Sequence, residues 1–237
     1  MSEPAGRVVL ITGAAGSAGA AAVRALQAAG ATVIAVGHSP ARLSELAERN
    51  PGITVEVADL TDPAAVDNLA NRVHNRHGRV DGLVHLVGGY RGGKTFTSNT
   101  NADWQFLAAG LIDTLRHVTL SFHDDLVSSS AGRAVIVSAQ AAASPTAGSA
   151  NYATAKAAAE AWMLALAESL RQSGQGSDRQ TSAATTFVIK ALVDDAMRAA
   201  APERKFPGFT DVDDLAARIV GLWSAPAEEI NGVRIPL

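Results

Sequence analysis

The sequence predicts an α/β fold, a doubly wound parallel sheet of about seven strands with helices on both faces, and three observations carry that prediction. Apolar runs rich in β-branched residues recur along the chain, each separated from the next by a stretch of helical periodicity. The first run, Val8–Thr12, stops at a turn holding Gly13, Gly16 and Gly19, and an alanine-rich helical pattern follows at once. Gly30, Pro40 and Pro63 punctuate the joints between elements, the glycine as a helix stop and the prolines as first-turn residues.

The strand, turn and helix at the start have the order of a Rossmann-like dinucleotide-binding unit. Gly13 permits the tight turn, Gly16 lets backbone N–H groups approach a pyrophosphate, and Gly19 removes a side chain where helix packs on strand. A helix over 17–29 then leads to a second strand at 32–36. The pattern repeats, with helix Pro40–Arg49 before strand 53–57, and helix 63–76, capped by Thr61 or Asp62, before strand 83–87. A Gly-rich polar loop, 88–101, precedes a long helical region over 102–126 and a fifth strand at 134–138. Small residues fill 139–150, a strong helix covers 151–171, and the polar segment 172–182 reads as a loop. The sixth strand is 184–189. The connection 190–209, with a helical stretch at 196–201, is long enough to serve as a lid or binding loop. A helix over 211–223 and a short strand at 232–235 complete the chain. No repeat or linker interrupts it, so residues 1–237 are expected to form a single domain.

Bulk properties exclude several function classes. The net charge is −3 and Lys and Arg are scattered singly, so no stripe is available to track nucleic acid. The absence of cysteine removes disulfides, thiolate zinc sites and thiol nucleophiles, and it fits a reducing cytoplasm. Met1-Ser2-Glu3-Pro4 lacks the basic and apolar pattern of a signal peptide, and no apolar run approaches the roughly 18 residues of a membrane span. His74 and His77 lack a third ligand, so no metal site is expected. Ser138 and His85 suggest hydrolysis, but no Gly-x-Ser-x-Gly elbow surrounds the serine.

Ligands of doubly wound sheets lie outside the carboxyl ends of the strands, which directs attention to 12–19, 37–42, 59–60, 88–90, 138–140 and 190–197. After the fifth strand, Tyr152 and Lys156 stand four apart, on one helical face. A free phenol titrates near 10, too high for easy proton exchange at neutral pH, and a fixed cation nearby favours the phenolate, so the pair makes a proton donor and acceptor.

The Gly-rich first turn, Asp59 after strand three, the Gly loop after strand four and Tyr152-x-x-x-Lys156 after strand five together resemble the short-chain dehydrogenase/reductase family over nearly the whole chain. The resemblance implies an NAD(P)(H)-dependent oxidoreductase that moves a hydride between nicotinamide and a small carbonyl, alcohol or imine-type substrate. It implies that Tyr152 protonates the substrate oxygen, while Lys156 binds the nicotinamide ribose and lowers the phenol's pKa. Asp59 would contact adenine, and Gly13, Gly16, Ser17, Ala18, Gly19, Leu60, Val87, Gly88 and Gly89 would line the cofactor channel. Family members preferring NAD usually carry an acid at the end of strand two. Gly37 stands there, and His38, Ser39 and Arg42 offer donors to a 2′-phosphate, so NADP is favoured with NAD as the alternative. Tyr90, Arg91 and 190–209 would shape the substrate side, and the alanine-rich face of the helix after strand five implies a homodimer or homotetramer.

The chain departs from the family pattern at several places. Ser17 replaces a usual glycine. His85-Leu86-Val87-Gly88 replaces Asn-Asn-Ala-Gly, and Leu111 takes the place of the relay asparagine. Ala139 takes the place of the usual serine, with Ser138 or Gln140 as a local substitute, and Lys190-Ala191 and Asp195 replace Pro-Gly and Thr. Asp195 would oppose anion binding unless Lys190 neutralises it or it points at solvent. Gly88-Gly89-Tyr90-Arg91-Gly92-Gly93 together with 139–142 is similar to the dihydropteridine reductase branch, whose members also lack the serine and asparagine. A nucleotide-binding sensor or assembly partner with a degenerate site is the alternative reading. A sugar-nucleotide epimerase, suggested by the glycine spacing, is weakened by the chain's length.

Overall fold

The computed structural model describes residues 4–174 and 180–237; residues 1–3, where no signal-peptide pattern is read, and the centre of the polar segment 172–182 lie outside this range. In chain order the elements are β1 (Val8–Thr12), α1 (Ser17–Ala28), β2 (Thr32–Gly37), α2 (Pro40–Arg49), β3 (Thr54–Val57), α3 (Pro63–His77) and β4 (Gly82–His85). Next come α4 (Asn101–Ala108), a π turn (Ala109–Asp113), α5 (Thr114–Ser121), α6 (His123–Ser128), β5 (Arg133–Ala139), α7 (Ala150–Ser173) and β6 (Ala183–Ile189). The chain ends with β7 (Leu192–Val193), α8 (Asp195–Ala200), β8 (Thr210–Asp211), α9 (Val212–Gly221), α10 (Ala227–Ile230) and β9 (Arg234–Pro236).

Seven strands form one parallel sheet in the order β3-β2-β1-β4-β5-β6-β9. Alternation along the strands sends side chains to two cores. Val8 and Leu10 join Leu69, Val118, Phe122 and Met163 on one face, while Val9 and Ile11 join Val23, Leu26, Leu215 and Ile219 on the other. Each such side chain, fully withdrawn from water, contributes about 1.5–3 kcal/mol of transfer free energy, and this is why strands buried on both faces read as continuous apolar runs. The chain leaves β1 in opposite directions toward β2 and β4, so a crevice opens at the carboxyl ends of these strands.

Local chemistry explains where the elements differ from the sequence reading. Strand four ends at His85, not at residue 87, because its neighbour β1 ends at Thr12: the Leu86 N–H makes the last bond, to Thr12 O, and the chain beyond passes against the turn at Gly13. Gly13 has φ +71°, and a Cβ on it would stand 2.7 Å from the Leu86 carbonyl carbon, so neither the turn nor the contact admits a side chain. The helix expected over 102–126 is broken by the π turn and again at Phe122 (φ −113°, ψ 12°). Thr114 Oγ1 donates to Gly110 O at 2.8 Å across the π turn. The connection 190–209 holds α8, capped by the Asp194 carboxylate on the Met197 N–H, and its two ends are laced together by β7 and β8. Two-residue strands carry no periodicity, so that small ladder has no sequence signature.

Candidate functional site

Two chambers meet at the carboxyl ends of β1 and β4. The first, about 650 Å³, is lined by Gly13, Gly16, Gly37, His38, Asp59 and Gly88 among others. The second, about 770 Å³, holds Tyr152, Lys156, Tyr90, Lys190, Arg204 and Phe209. Leu86, Val87 and Gly88 line both, so the two form one continuous groove.

In the first chamber the chain supplies mostly backbone. Gly16 caps α1 and no side chain caps it, which leaves first-turn N–H groups available to an anion at the positive end of the helix. Outside their own chain neighbours, a Cβ at Gly16 would approach only Gly13 O at 3.3 Å, and one at Gly88 only Leu111 Cδ2 at 3.6 Å. A dinucleotide therefore fits this floor. Gly19 matters for packing instead, since a Cβ there would stand 2.3 Å from Gly13 O and its absence lets helix and turn close together. Ser17 is exposed and lies outside the chamber lining, whereas Ala18 lines the second chamber and Leu60 the first.

Polar groups at the far end are sparse. Asp59 accepts from the Thr61 hydroxyl at 2.7 Å and from the Thr61 N–H at 2.9 Å, and with His38 nearby these bonds hold its carboxyl below the usual range. His38 and Arg42 are exposed and line the chamber, and Arg42 donates to Ala15 O. Ser39 departs from expectation. It accepts from the Arg42 N–H as the cap of α2, at 3.5 Å, and does not line the chamber.

The second chamber is built of side chains. Tyr152 and Lys156 lie on one face of α7, with the Lys156 ammonium 5.9 Å from the Tyr152 ring centre. Lys156 Nζ donates to Val137 O at 2.6 Å, and burial pulls its pKa down to about 8 against the opposing pull of Glu160. Burial, and after it the Tyr90 hydroxyl, pushes the Tyr152 phenol above its ordinary value. Lys156 is not among the causes of that shift: its ammonium is drawn to a backbone carbonyl, and desolvation of the phenol dominates. Tyr90 meets Tyr152 edge to face, 5.0 Å between ring centres. Arg91 turns away, with its guanidinium 3.8 Å over the Phe106 ring and 3.5 Å from Asp103.

Ser138 lines the same chamber, but its hydroxyl is already engaged. Alternation along β5 points it, with Ile136, toward α7, where its hydroxyl donates to Glu160 Oε1 at 2.5 Å and only 1% of the residue is exposed. Glu160 in turn pairs with Arg234 at 2.7 Å. Gln140 is exposed and opens a single 3-10 turn outside the lining, while Ala139 lines the chamber. Thr146 and Ser149 line it as well, their hydroxyls 2.9 Å apart in a reciprocal cap. Their Thr-x-x-Ser spacing is a readable signal, hidden in a stretch that otherwise reads only as small residues.

Two replaced family positions are occupied structurally. Leu111 packs with Leu107 and Ala155 behind Tyr152. His85 is fully buried between Thr12 Oγ1, 2.8 Å from Nδ1, and Thr114 Oγ1, 3.3 Å from Nε2. The Thr114 proton goes to Gly110 O, so Nε2 carries the ring proton and Nδ1 accepts from Thr12. Burial, then Lys156, pushes His85 down to about 3, and the ring is neutral. Asp195 has a fully exposed side chain and pairs with Arg198 at 3.3 Å, away from the chambers. His74 bonds Asp125 at 2.6 Å, and among the described residues no cluster suits a metal. No helix of the described residues is long and apolar enough to cross a membrane.

The sequence pattern of the short chain dehydrogenase family matches residues 7–175, and the chain belongs to the short-chain dehydrogenase/reductase family. It is 32% identical over 162 residues to the 2,3-dihydro-2,3-dihydroxybenzoate dehydrogenase of Bacillus subtilis, covering 65% of this chain and 60% of that protein. A short chain dehydrogenase of Shigella flexneri, solved with NADP, superposes with a TM-score of 0.84 at 20% identity, over 98% of this chain and 97% of that one. An NAD+-bound xylitol dehydrogenase superposes with a TM-score of 0.82 at 18% identity, over 100% of this chain and 99% of that one.

Proposed function

We propose that this protein is a single-domain NADP(H)-dependent reductase of small carbonyl or imine-type substrates, acting also on the corresponding alcohols, with Tyr152 as acid and base and Lys156 as its partner. The observation that carries this reading is the groove itself: Tyr152 and Lys156 line one end, and the glycine turn after β1 lines the other. The nicotinamide, when bound, supplies or accepts the hydride. Gly13 and Gly16 make room for the pyrophosphate, Lys156 holds the ribose hydroxyls, and Gly88 with Gly89 lines the passage between the chambers. Tyr152, its phenol protonated at neutral pH, gives its proton to the substrate oxygen during reduction and takes it back in the reverse direction. Ser138 is left out of the catalytic set. The serine and asparagine are also missing from the dihydropteridine reductase-like pattern, in which tyrosine and lysine suffice.

The choice of NADP rests on Gly37, which places no carboxylate at the end of β2, and on His38 and Arg42 at the same rim. The neighbours solved with NADP and with NAD+ keep both cofactors in view. We also propose a cytoplasmic homodimer or homotetramer, supported by Leu164 on α7 and Leu120 on α5, which are more than half exposed. A fluorescence titration with NADPH and NADH, followed by a carbonyl and quinonoid substrate screen, tests the reading. Tighter NADH binding overturns the cofactor choice, and unchanged turnover in both Tyr152→Phe and Lys156→Ala overturns the mechanism. The raised phenol and the bond that occupies Ser138 favour a second reading, a nucleotide-binding sensor that has lost efficient chemistry. Nucleotide binding with no reaction sensitive to Tyr152→Phe would support it.

A further inference from the structure

We infer that the second chamber selects substrates carrying a carboxylate, held by Arg204 and Lys190; this rests on the oxidoreductase reading above and narrows its substrate class. Three cations line the chamber, Lys156, Lys190 and Arg204, and no aspartate or glutamate does so among the described residues. Lys156 is already bound to Val137 O and held at the tyrosine end. The other two belong to the far wall. The Arg204 guanidinium lies 4.9 Å from the Phe206 ring centre and 5.7 Å from that of Phe209, and Lys190 Nζ lies 5.8 Å from the Phe209 ring while donating to Pro207 O at 3.0 Å.

These contacts orient the two cations without neutralising them. A ring face attracts a cation but cancels none of its charge, and a carbonyl takes one of an ammonium's three protons. Of the acids of the same excursion and its end, Asp194 caps α8, both Asp195 and Asp211 pair with Arg198, and Glu203 is exposed and outside the chamber lining. A guanidinium and an ammonium left without carboxylate partners in one concave wall therefore present net positive charge to whatever enters. The rest of the chamber is small or apolar, with Ala139, Ala141, Ile189 and the Tyr90 ring, so an anion borne on an apolar or planar frame matches both parts. Arg204 offers the paired N–H geometry that a carboxylate accepts. The phosphates of the cofactor are the competing anion, but the uncapped turn of α1 and the rim at His38 and Arg42 provide for them in the first chamber.

Benzoate and its neutral counterpart benzamide serve as probes, titrated by calorimetry into the full chain with and without saturating NADP+. Benzoate is expected to bind about tenfold tighter than benzamide, as a charge-assisted pair allows. That preference should fall several-fold in Lys190→Ala and vanish in Arg204→Ala, while NADPH affinity stays unchanged in both. Both residues are exposed, so circular dichroism should report an intact fold in each variant. Equal affinity for the two probes, no benzoate binding at 10 mM (about the weakest affinity a specific small-ligand contact offers), or a preference that survives the double variant overturns the inference. So does a tenfold loss of NADPH affinity in either variant, which would hand the cations to the cofactor. A benzoate preference in a protein that binds no nucleotide would keep this site and overturn the oxidoreductase reading. Nucleotide binding and turnover with no such preference would do the reverse.

Discussion

The two chambers of the groove are built from different materials. The first has a floor made largely by backbone, a glycine turn and an uncapped helix end, with Gly37 ending β2 and Gly88 following β4. The second is made by side chains from many separate stretches, among them β5, the segment between β5 and α7, α7, the loop after β4 and the excursion after β6. A backbone site is indifferent to most substitutions but intolerant of any side chain where two main chains touch. A side-chain site is the reverse, since each residue can be exchanged without harm to the fold and with direct effect on chemistry.

That contrast makes predictions of graded size. The largest effect is expected at Tyr152→Phe, which should lower kcat by about 10²–10⁴ while leaving the NADPH dissociation constant within a factor of about two, read by steady-state kinetics and fluorescence titration. If nucleotide binding fell as well, the chambers would not be separable. Gly13→Val should act the opposite way. It forces a β-branched side chain onto φ +71° and against Leu86, and should cost about 2–4 kcal/mol in chemical denaturation as well as nucleotide affinity.

Placing an acid at the rim, Gly37→Asp, should reverse the preference between NADPH and NADH by about tenfold or more without moving kcat, because its charge repels a 2′-phosphate and touches nothing in the second chamber. The pH response comes next. Lys156 titrates at about 8 in the folded chain, below its unfolded value, so turnover should decline above that pH as the ammonium is lost. Between there and its unfolded value the unfolded chain binds more protons, so this group's contribution to stability rises with pH. His85 gives the same sign lower down. Folded it titrates at about 3 against 6.5 unfolded, so stability should fall as pH drops below 6.5, and a His85→Gln variant should flatten that slope in a thermal melt series. The smallest change is expected at Ser39→Ala. Loss of a weak helix cap should lower the melting temperature by a few degrees, about 1 kcal/mol, with NADPH affinity unchanged.

The difference between the chambers also marks how far the sequence could be read. The strands and the glycine turn were legible because backbone sites and parallel strands leave local signatures: β-branched runs, Gly13 and Gly19 at fixed offsets, prolines at helix starts. Boundaries shifted where a neighbouring strand decides them, as β4 stops where β1 stops, and the long helix after the Gly loop gave no sign that it would break at a π turn. In the second chamber Tyr152 and Lys156 were legible from a spacing of four on one helix. Ser138 stands in the chamber wall at the end of β5, as its place in the sequence suggested, but its bond to Glu160 on α7 joins residues 22 apart and has no local signature. Arg204 and Phe209 were legible only as part of the connection 190–209, not as individual residues, since the excursion that carries them is closed by a ladder of two residue pairs between Leu192–Val193 and Thr210–Asp211.

That ladder has a consequence for the history and engineering of the protein. By clamping the excursion where it leaves and rejoins the body, it isolates 194–209 from the seven strands that carry the fold. Residues can be inserted, deleted or exchanged beyond the clamp without disturbing the register of any central strand. The wall of the second chamber can therefore be rewritten while the glycine turn and the sheet beneath it are inherited intact.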